Sequence, residues 1–142
     1  GPEPLNKNFN TIYLKRYVSG RNRKIKNVLM DQKCVSGLGN IYVNEILFLS
    51  GIKPFRKVAK LKDFEINKII KSTKKILKKS IKLGGSSIKD FSSGDGKKGK
   101  YQFFFHVYGR KGKKCSNVDC NSRVLKTVIS NRSSFFCKSC QK

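Results

Sequence analysis

Four cysteines near the end of the chain, Cys115-x4-Cys120-x16-Cys137-x2-Cys140, have the residue type and spacing that hold a metal ion. Zinc takes four thiolates at the corners of a tetrahedron, and two short cysteine loops joined by a strand-turn-strand segment supply that geometry. The joining segment reads that way. Val124, Leu125, Thr127, Val128 and Ile129 favour a strand, Ser130-Asn131 can turn, and Phe135-Phe136 leads back to the second pair. The rival is a pair of disulfides in a small secreted domain. No signal peptide precedes the cysteines and a fifth, Cys34, would be left over, so one structural zinc ion is expected. His106, the only histidine, could substitute as a ligand, but four cysteines already fill such a site and it is expected to be structural.

A second constellation can hold an anion. In Gly37-x-Gly39-Asn40 the glycines open backbone conformations closed to other residues, and Asn40 is expected to cap the helix that follows. Backbone N–H groups and the helix dipole then favour a phosphate, with Lys33 adding charge nearby. Arg132, expected in the hairpin turn between Asn131 and Ser133, could fork onto a phosphate bidentately.

These groups must be positioned by helices. Residues 9–17 carry a short helical pattern. Ile25, Val28, Leu29 and Val35 mark a helix face ending at the glycines. The next helix, residues 41–50, should stop at Gly51, with Pro54 enforcing the break. A longer one is expected from Asp63 as N-cap to about Leu83. Its apolar face is Phe64, Ile66, Ile69, Ile70, Ile76, Leu77 and Ile81, opposite Lys71, Lys74, Lys75, Lys78 and Lys79. Gly84-Gly85 ends it. Residues 92–100 read as a flexible basic loop, and 101–108 as an aromatic strand running to a turn at Gly109-Arg110-Lys111-Gly112.

At 142 residues the chain can build one modest domain and a metal-stapled module. Lys and Arg number 33 against 8 acids, a formal net charge of +25, so the natural partner is a polyanion. No apolar run approaches the roughly 20 residues of a membrane span, so a soluble, cytoplasmic protein is expected.

Several segments resemble bacterial formamidopyrimidine-DNA glycosylase. They are Gly1-Pro2-Glu3-Pro4-Leu5, Met30-Asp31-Gln32-Lys33, Gly37-Leu38-Gly39-Asn40-Ile41-Tyr42, and Glu45-Ile46-Leu47-Phe48 through Gly51-Ile52-Lys53-Pro54. Gly84-Gly85-Ser86-Ser87-Ile88-Lys89-Asp90-Phe91 is similar to the family's next segment. Val107-Tyr108-Gly109-Arg110-Lys111-Gly112 and Phe135-Phe136-Cys137-Lys138-Ser139-Cys140-Gln141-Lys142 resemble its zinc finger and C-terminus. The glycine-flanked Arg110-Lys111 and the terminal Cys-Gln-Lys favour this family over its relative endonuclease VIII.

The resemblance implies a mainly α protein: a helix–two-turn–helix DNA-binding domain over residues 1–92, a flexible loop and connecting strand over 93–106, and a β-hairpin zinc finger over 107–142. The family excises oxidised purines from damaged double-stranded DNA, cuts at abasic sites, and grips a flipped-out nucleotide. Carried onto this sequence, Lys33, Gly39, Asn40 and Tyr42 would lie at the DNA with Arg21 and Arg110. Arg132 would hold phosphates and assist the second elimination step. Residues 96–101 would match the mobile loop that closes over the extruded base.

The departures are equally specific. The family's chemistry uses an N-terminal proline amine and a neighbouring glutamate on a β-sandwich domain that is absent from this sequence. Pro2 is acylated by Gly1 and has no free secondary amine, so Pro2-Glu3 is a decoy. The first cysteine pair is often C-x2-C in the family; the longer Cys115-x4-Cys120 only enlarges the loop. The expectation is therefore the DNA-binding portion of a repair glycosylase and lyase, a bacterial, nucleoid-associated monomer, inactive on its own without the missing N-terminal catalytic domain. The alternative is a stand-alone, non-catalytic zinc-finger DNA-binding protein. A ribosomal or RNA-binding zinc ribbon is disfavoured by the Gly-Leu-Gly-Asn helix pair.

Overall fold

A computed structural model describes residues 1–86 and 99–142. Helices come first: α1 (Thr11–Val18), α2 (Ile25–Met30), α3 (Asn40–Ser50), a 3-10 turn at Val58–Lys60, and α4 (Asp63–Lys82). A second 3-10 turn, Tyr101–Phe104, precedes β1 (Leu125–Ile129) and β2 (Arg132–Phe136). The strands pair antiparallel, Leu125 opposite Phe136 and Ile129 opposite Arg132. The protein is thus mainly helical, with one small hairpin beside a cluster of four cysteines.

Local chemistry sets the helix limits. The Asn10 side chain accepts the Tyr13 N–H at 2.9 Å and starts α1, which buries Leu14 and Val18. α2 is shorter than its apolar spacing suggests. It stops at Met30, and Val35 reaches the core through a turn whose N–H bonds back to the Asp31 carbonyl at 3.2 Å. The Asp31 carboxylate fixes that turn by accepting the Lys33 N–H at 2.9 Å and pairing with Arg23 at 2.9 Å. Gly37 has φ +90°, which demands glycine, and its N–H bonds the Gln32 side chain at 2.7 Å. α3 ends at Gly51 with φ +73°, as expected.

Two helix starts differ from expectation by one residue. Gly39, not Asn40, is the N-cap of α3, because the Asn40 side chain is drawn across to the hairpin. Lys62, not Asp63, caps α4. There Glu65 accepts the Lys62 N–H at 2.9 Å while both its oxygens are gripped by Arg56 at 2.8 and 3.0 Å. The basic loop expected at 92–100 and the base-closing loop at 96–101 lie, up to residue 98, outside the described residues.

Burial divides into two cores. The larger packs Leu14, Ile25, Leu29, Val43, Ile46, Leu47 and Ile69 among the four helices. The smaller packs Val107, Val124 and Phe135 with Cys115 and Cys137. Helix α3 serves both, since Leu47 belongs to the first and its neighbour Phe48 to the second.

The expected aromatic strand over 101–108 does not form. Tyr101 starts the 3-10 turn and stacks on Tyr42, with ring centroids 5.7 Å apart and planes 5° from parallel. Beyond it the backbone N–H groups meet a carboxylate instead of a partner strand. Glu45, fully buried in α3, accepts the N–H of His106 at 2.6 Å and those of Val107 and Tyr108 at 2.9 Å each. Replacing Glu45 with Ala leaves three donors without a partner and is expected to cost about 3 kcal/mol or more, with Gln recovering only part. Denaturant unfolding checks this; an Ala variant within about 1 kcal/mol of the parent would refute it.

Candidate nucleic-acid interface and metal centre

The four cysteine Sγ atoms lie within 4.8 Å of one another. Two pairs are closer, Cys115 to Cys140 at 3.8 Å and Cys120 to Cys137 at 3.7 Å. A tetrahedral ion with metal–sulfur bonds near 2.3 Å separates its ligands by about 3.8 Å, so the donor set fits zinc in element and size. Left to themselves the thiols titrate unequally. Burial pushes Cys115 up to about 12, whereas the Ser122 N–H brings Cys120 down to about 7. A dication would favour the thiolate at all four. His106 stands outside the cluster: its Nδ1 lies 2.7 Å from Ser116 Oγ and its ring stacks on Phe48.

The hairpin turn places Ser130 and Asn131 at φ +49° and +63°, a two-residue turn with both central residues left-handed. Arg132 therefore opens β2 instead of lying in the turn, and it is exposed. Its neighbour Ser133 holds the joint between hairpin and helices. The Ser133 carbonyl accepts from Lys26 Nζ at 3.0 Å, Asn40 Nδ2 at 3.1 Å and Asn44 Nδ2 at 3.3 Å. Lys26 also donates to Ser134 Oγ at 2.6 Å, and Asn44 Oδ1 accepts the Phe135 N–H at 2.7 Å. At the far end of β2, buried Gln141 accepts the Cys137 N–H at 2.8 Å and donates to the Ile52 carbonyl at 2.9 Å.

The anion-site residues thus divide. Asn40 is tied to the carbonyl of Ser133, the residue next to Arg132 in β2. Gly39 has φ −107°, open to any residue, and a Cβ there would touch nothing within 4 Å, so the approach to the α3 N-terminus is clear. No side chain caps that terminus. Lys33 is exposed in the turn before it. Tyr42 instead bonds Ser80 at 2.7 Å and faces α4. Arg110 is spent on the carbonyls of His106 at 2.6 Å and Lys114 at 3.1 Å, bracing the finger from within. Arg21 lies over the Tyr17 ring at 4.3 Å, and no contact among the described residues brings it to the Ser133 joint. Sequence reasoning missed Lys26, Asn44, Glu45 and Gln141 as joint-forming residues, because each resembles an ordinary surface residue until its distant partner is known.

Over residues 1–92 the chain matches the formamidopyrimidine-DNA glycosylase H2TH domain. It belongs to that family. A formamidopyrimidine-DNA glycosylase of Ruegeria pomeroyi is 42% identical over 142 residues, all of this chain and 50% of that protein. One from Rickettsia canadensis is 45% identical over 141 residues, 99% of this chain and 51% of that protein. The chain spans about half the length of the curated relatives it matches. Among solved structures, a Lactococcus lactis FPG variant in complex with Fapy-dG-containing DNA superposes with a TM-score of 0.92 at 39% identity, covering 100% of this chain and 51% of that one. MutM (FPG) from Thermus thermophilus gives 0.92 at 34% identity, covering 99% and 53%. These likenesses extend the H2TH family assignment through the hairpin and the cysteine cluster.

Within this H2TH and finger pair, Lys26 is the buried cation among the described residues, with 1% of its surface exposed. Burial, and secondarily Arg132, lower its ammonium to about 8. The sign follows directly. Below about pH 8 both folded and unfolded chains hold the proton, and the folded one bears the full cost of a buried charge. Between about 8 and the unfolded value near 10.4 the folded chain releases its proton first, so stability from this group rises with pH. Lys26→Met should remove that rise. Denaturation midpoints of parent and variant at about pH 7.5 and 10 test it; an identical pH dependence would exclude a perturbed Lys26.

Proposed function

We propose that this chain is the DNA-binding portion of a base-excision-repair glycosylase and abasic-site lyase acting on oxidised purines in duplex DNA. The single observation that supports it best is the Ser133 joint. It locks an uncapped helix N-terminus carrying Asn40 to a hairpin opening with exposed Arg132, so two anion-binding groups from distant segments share one rigid unit. In that reading Lys33, Gly39 and Asn40 hold phosphates from the helix–two-turn–helix side and Arg132 holds them from the finger side. Arg21, Tyr42 and Arg110 are held by contacts outside the Ser133 joint and are not assigned to this surface, and Arg132 assists elimination only when a catalytic half is joined. The Lactococcus lactis FPG structures in complex with Fapy-dG or abasic-site DNA are the basis for choosing damaged duplex as the ligand.

The organisation that serves this role is a DNA-binding domain over 1–92, a connection over 93–106 and a zinc finger over 107–142. Cys115, Cys120, Cys137 and Cys140 would hold one zinc ion, whose part is structural: it closes the finger and fixes the base of the hairpin that presents Arg132. No helix among the described residues is long and apolar enough to cross a membrane. A DNA-repair role places the protein with the bacterial nucleoid.

Purified protein is expected to carry about one zinc per chain. A strong chelator should strip hydrogen-exchange protection from β1 and β2 while α1, α3 and α4 keep theirs. A zinc-free preparation with a fully protected hairpin would contradict the assignment.

Duplex binding should weaken steeply with salt, with a log–log slope of about −5 for roughly six phosphate contacts. Arg132→Ala should lower affinity and flatten the slope by about one unit, whereas the same change at Lys142 does little. Fluorescence anisotropy with an abasic-analogue duplex over a salt series is the measurement. Equal slopes for parent and Arg132→Ala would remove Arg132 from the interface.

A further inference from the structure

The proposed DNA surface leaves the basic face of helix α4 unused. After Glu65, helix α4 contains no acid, and Lys68, Lys71, Lys75, Lys78, Lys79 and Lys82 are all exposed. At 3.6 residues per turn these six fall within an arc of about 100°, in a row about 21 Å long. The opposite face, with Ile66, Ile69, Ile70, Ile76 and Ser80, is buried. α3 packs against both α4 and β2, and the Ser133 carbonyl takes its bonds from Lys26, Asn40 and Asn44, none of them in the lysine row. None of the six makes an ion pair among the described residues.

Such a row works against the helix. Lys71 and Lys75, Lys75 and Lys79, and Lys78 and Lys82 are like charges four residues apart, each pair destabilising by a few tenths of a kcal/mol. Two heads lie over half-exposed rings, Lys79 over Phe104 at 4.8 Å and Lys68 over Phe64 at 5.8 Å, which holds them outward. A straight row of about 21 Å matches roughly six steps of one duplex strand at 3.4 Å each. A bilayer suits it poorly, because the apolar face that would insert is already packed in the larger core.

We propose that the lysine face of α4 binds a second segment of duplex DNA, separate from the one assigned to Asn40 and Arg132. One molecule would then touch two duplexes at once and could pass between them without full release. The contact is to phosphates alone and carries no sequence preference.

Sedimentation with duplexes of about 12 base pairs, too stiff to wrap from one face to the other, tests this at low salt. The parent chain should take two duplexes. Lys71→Gln/Lys75→Gln/Lys78→Gln/Lys82→Gln, which keeps good helix formers, should take one, with first-duplex affinity within about twofold of the parent. Its thermal midpoint should equal or exceed the parent's, which excludes unfolding as the cause. Arg132→Ala should weaken the first binding step and spare the second. A parent that binds one duplex only, even if it co-sediments with anionic phosphatidylserine vesicles, overturns the proposal, and so does a quadruple variant that still binds two. If Arg132→Ala alters neither step while the quadruple variant loses one, this inference stands and the interface assigned above fails.

Discussion

The fold depends on a row of buried and half-buried polar side chains along helix α3. Asn40, Asn44 and Glu45 occupy the surface where the helix meets the finger, and they supply there what a β-sheet partner would supply elsewhere. The finger is too small to satisfy its own backbone: among the described residues its two strands pair with each other alone, and the chain entering it at His106–Tyr108 has no strand beside it. A buried N–H without an acceptor costs as much as a lost hydrogen bond. Glu45 meets three such donors and Asn44 meets a fourth, at Phe135. The second core closes only because these groups are satisfied, with Phe48 of the same helix supplying apolar contact beside them.

That joint also determines how the cysteine cluster communicates with the helices. Cys137 leaves β2 directly, and its N–H is bound by Gln141, whose other end is tied to Ile52 just past the α3 C-cap. The Lys142 N–H bonds the Gly51 carbonyl at 2.8 Å. β2 is therefore fastened at its start by Ser133 and at its end by the residues around Cys137 and Cys140. A metal in the tetrad would tighten the second fastening without touching the first. Arg132 lies one residue from the first, so its position follows the α3 N-terminus more closely than it follows the metal.

Features governed by neighbours in sequence were legible. The cysteine spacing, the Ser130-Asn131 turn and the Gly51 stop are local, and each appears where the residues place it; α4 buries Ile66, Ile69, Ile70 and Ile76 of its expected face but leaves Phe64 and Ile81 at its ends exposed. The failures share one cause. Alternating aromatics over 101–108 suit a strand, but Tyr101 is captured by Tyr42 and the following N–H groups by Glu45, partners on a helix far back in the chain. Asn40 looks like an N-cap because Asn usually serves its own helix, and here its amide serves Ser133 instead. Lys26 reads as a surface lysine and is nearly inaccessible. At the interface the sequence could suggest anion-binding residue types. It could not reveal that Asn40 is tied to the residue next to Arg132 while Arg110 is held by the carbonyls of His106 and Lys114.

The scarcity of acids links stability to surface charge. Among the described residues Asp31 holds Arg23 and a turn, Asp63 pairs with Lys15, Glu65 locks Arg56 to the α4 start, and Glu45 is buried at the joint. Most of the described carboxylates are thus committed to a structural contact, and few remain to neutralise exposed lysine. The cations near those acids become part of the scaffold, as Arg56 and Arg23 do. The others, above all those along α4 and around the hairpin, project a field that only an external polyanion can balance. Adding surface acids would ease that self-repulsion and weaken the attraction to the same degree, since both arise from one unpaired set of charges. The fold can carry so large an excess because Asp31, Glu45 and Glu65 are placed where they hold backbone or a guanidinium, and its unpaired lysines sit on helix and hairpin surfaces where the backbone is already satisfied.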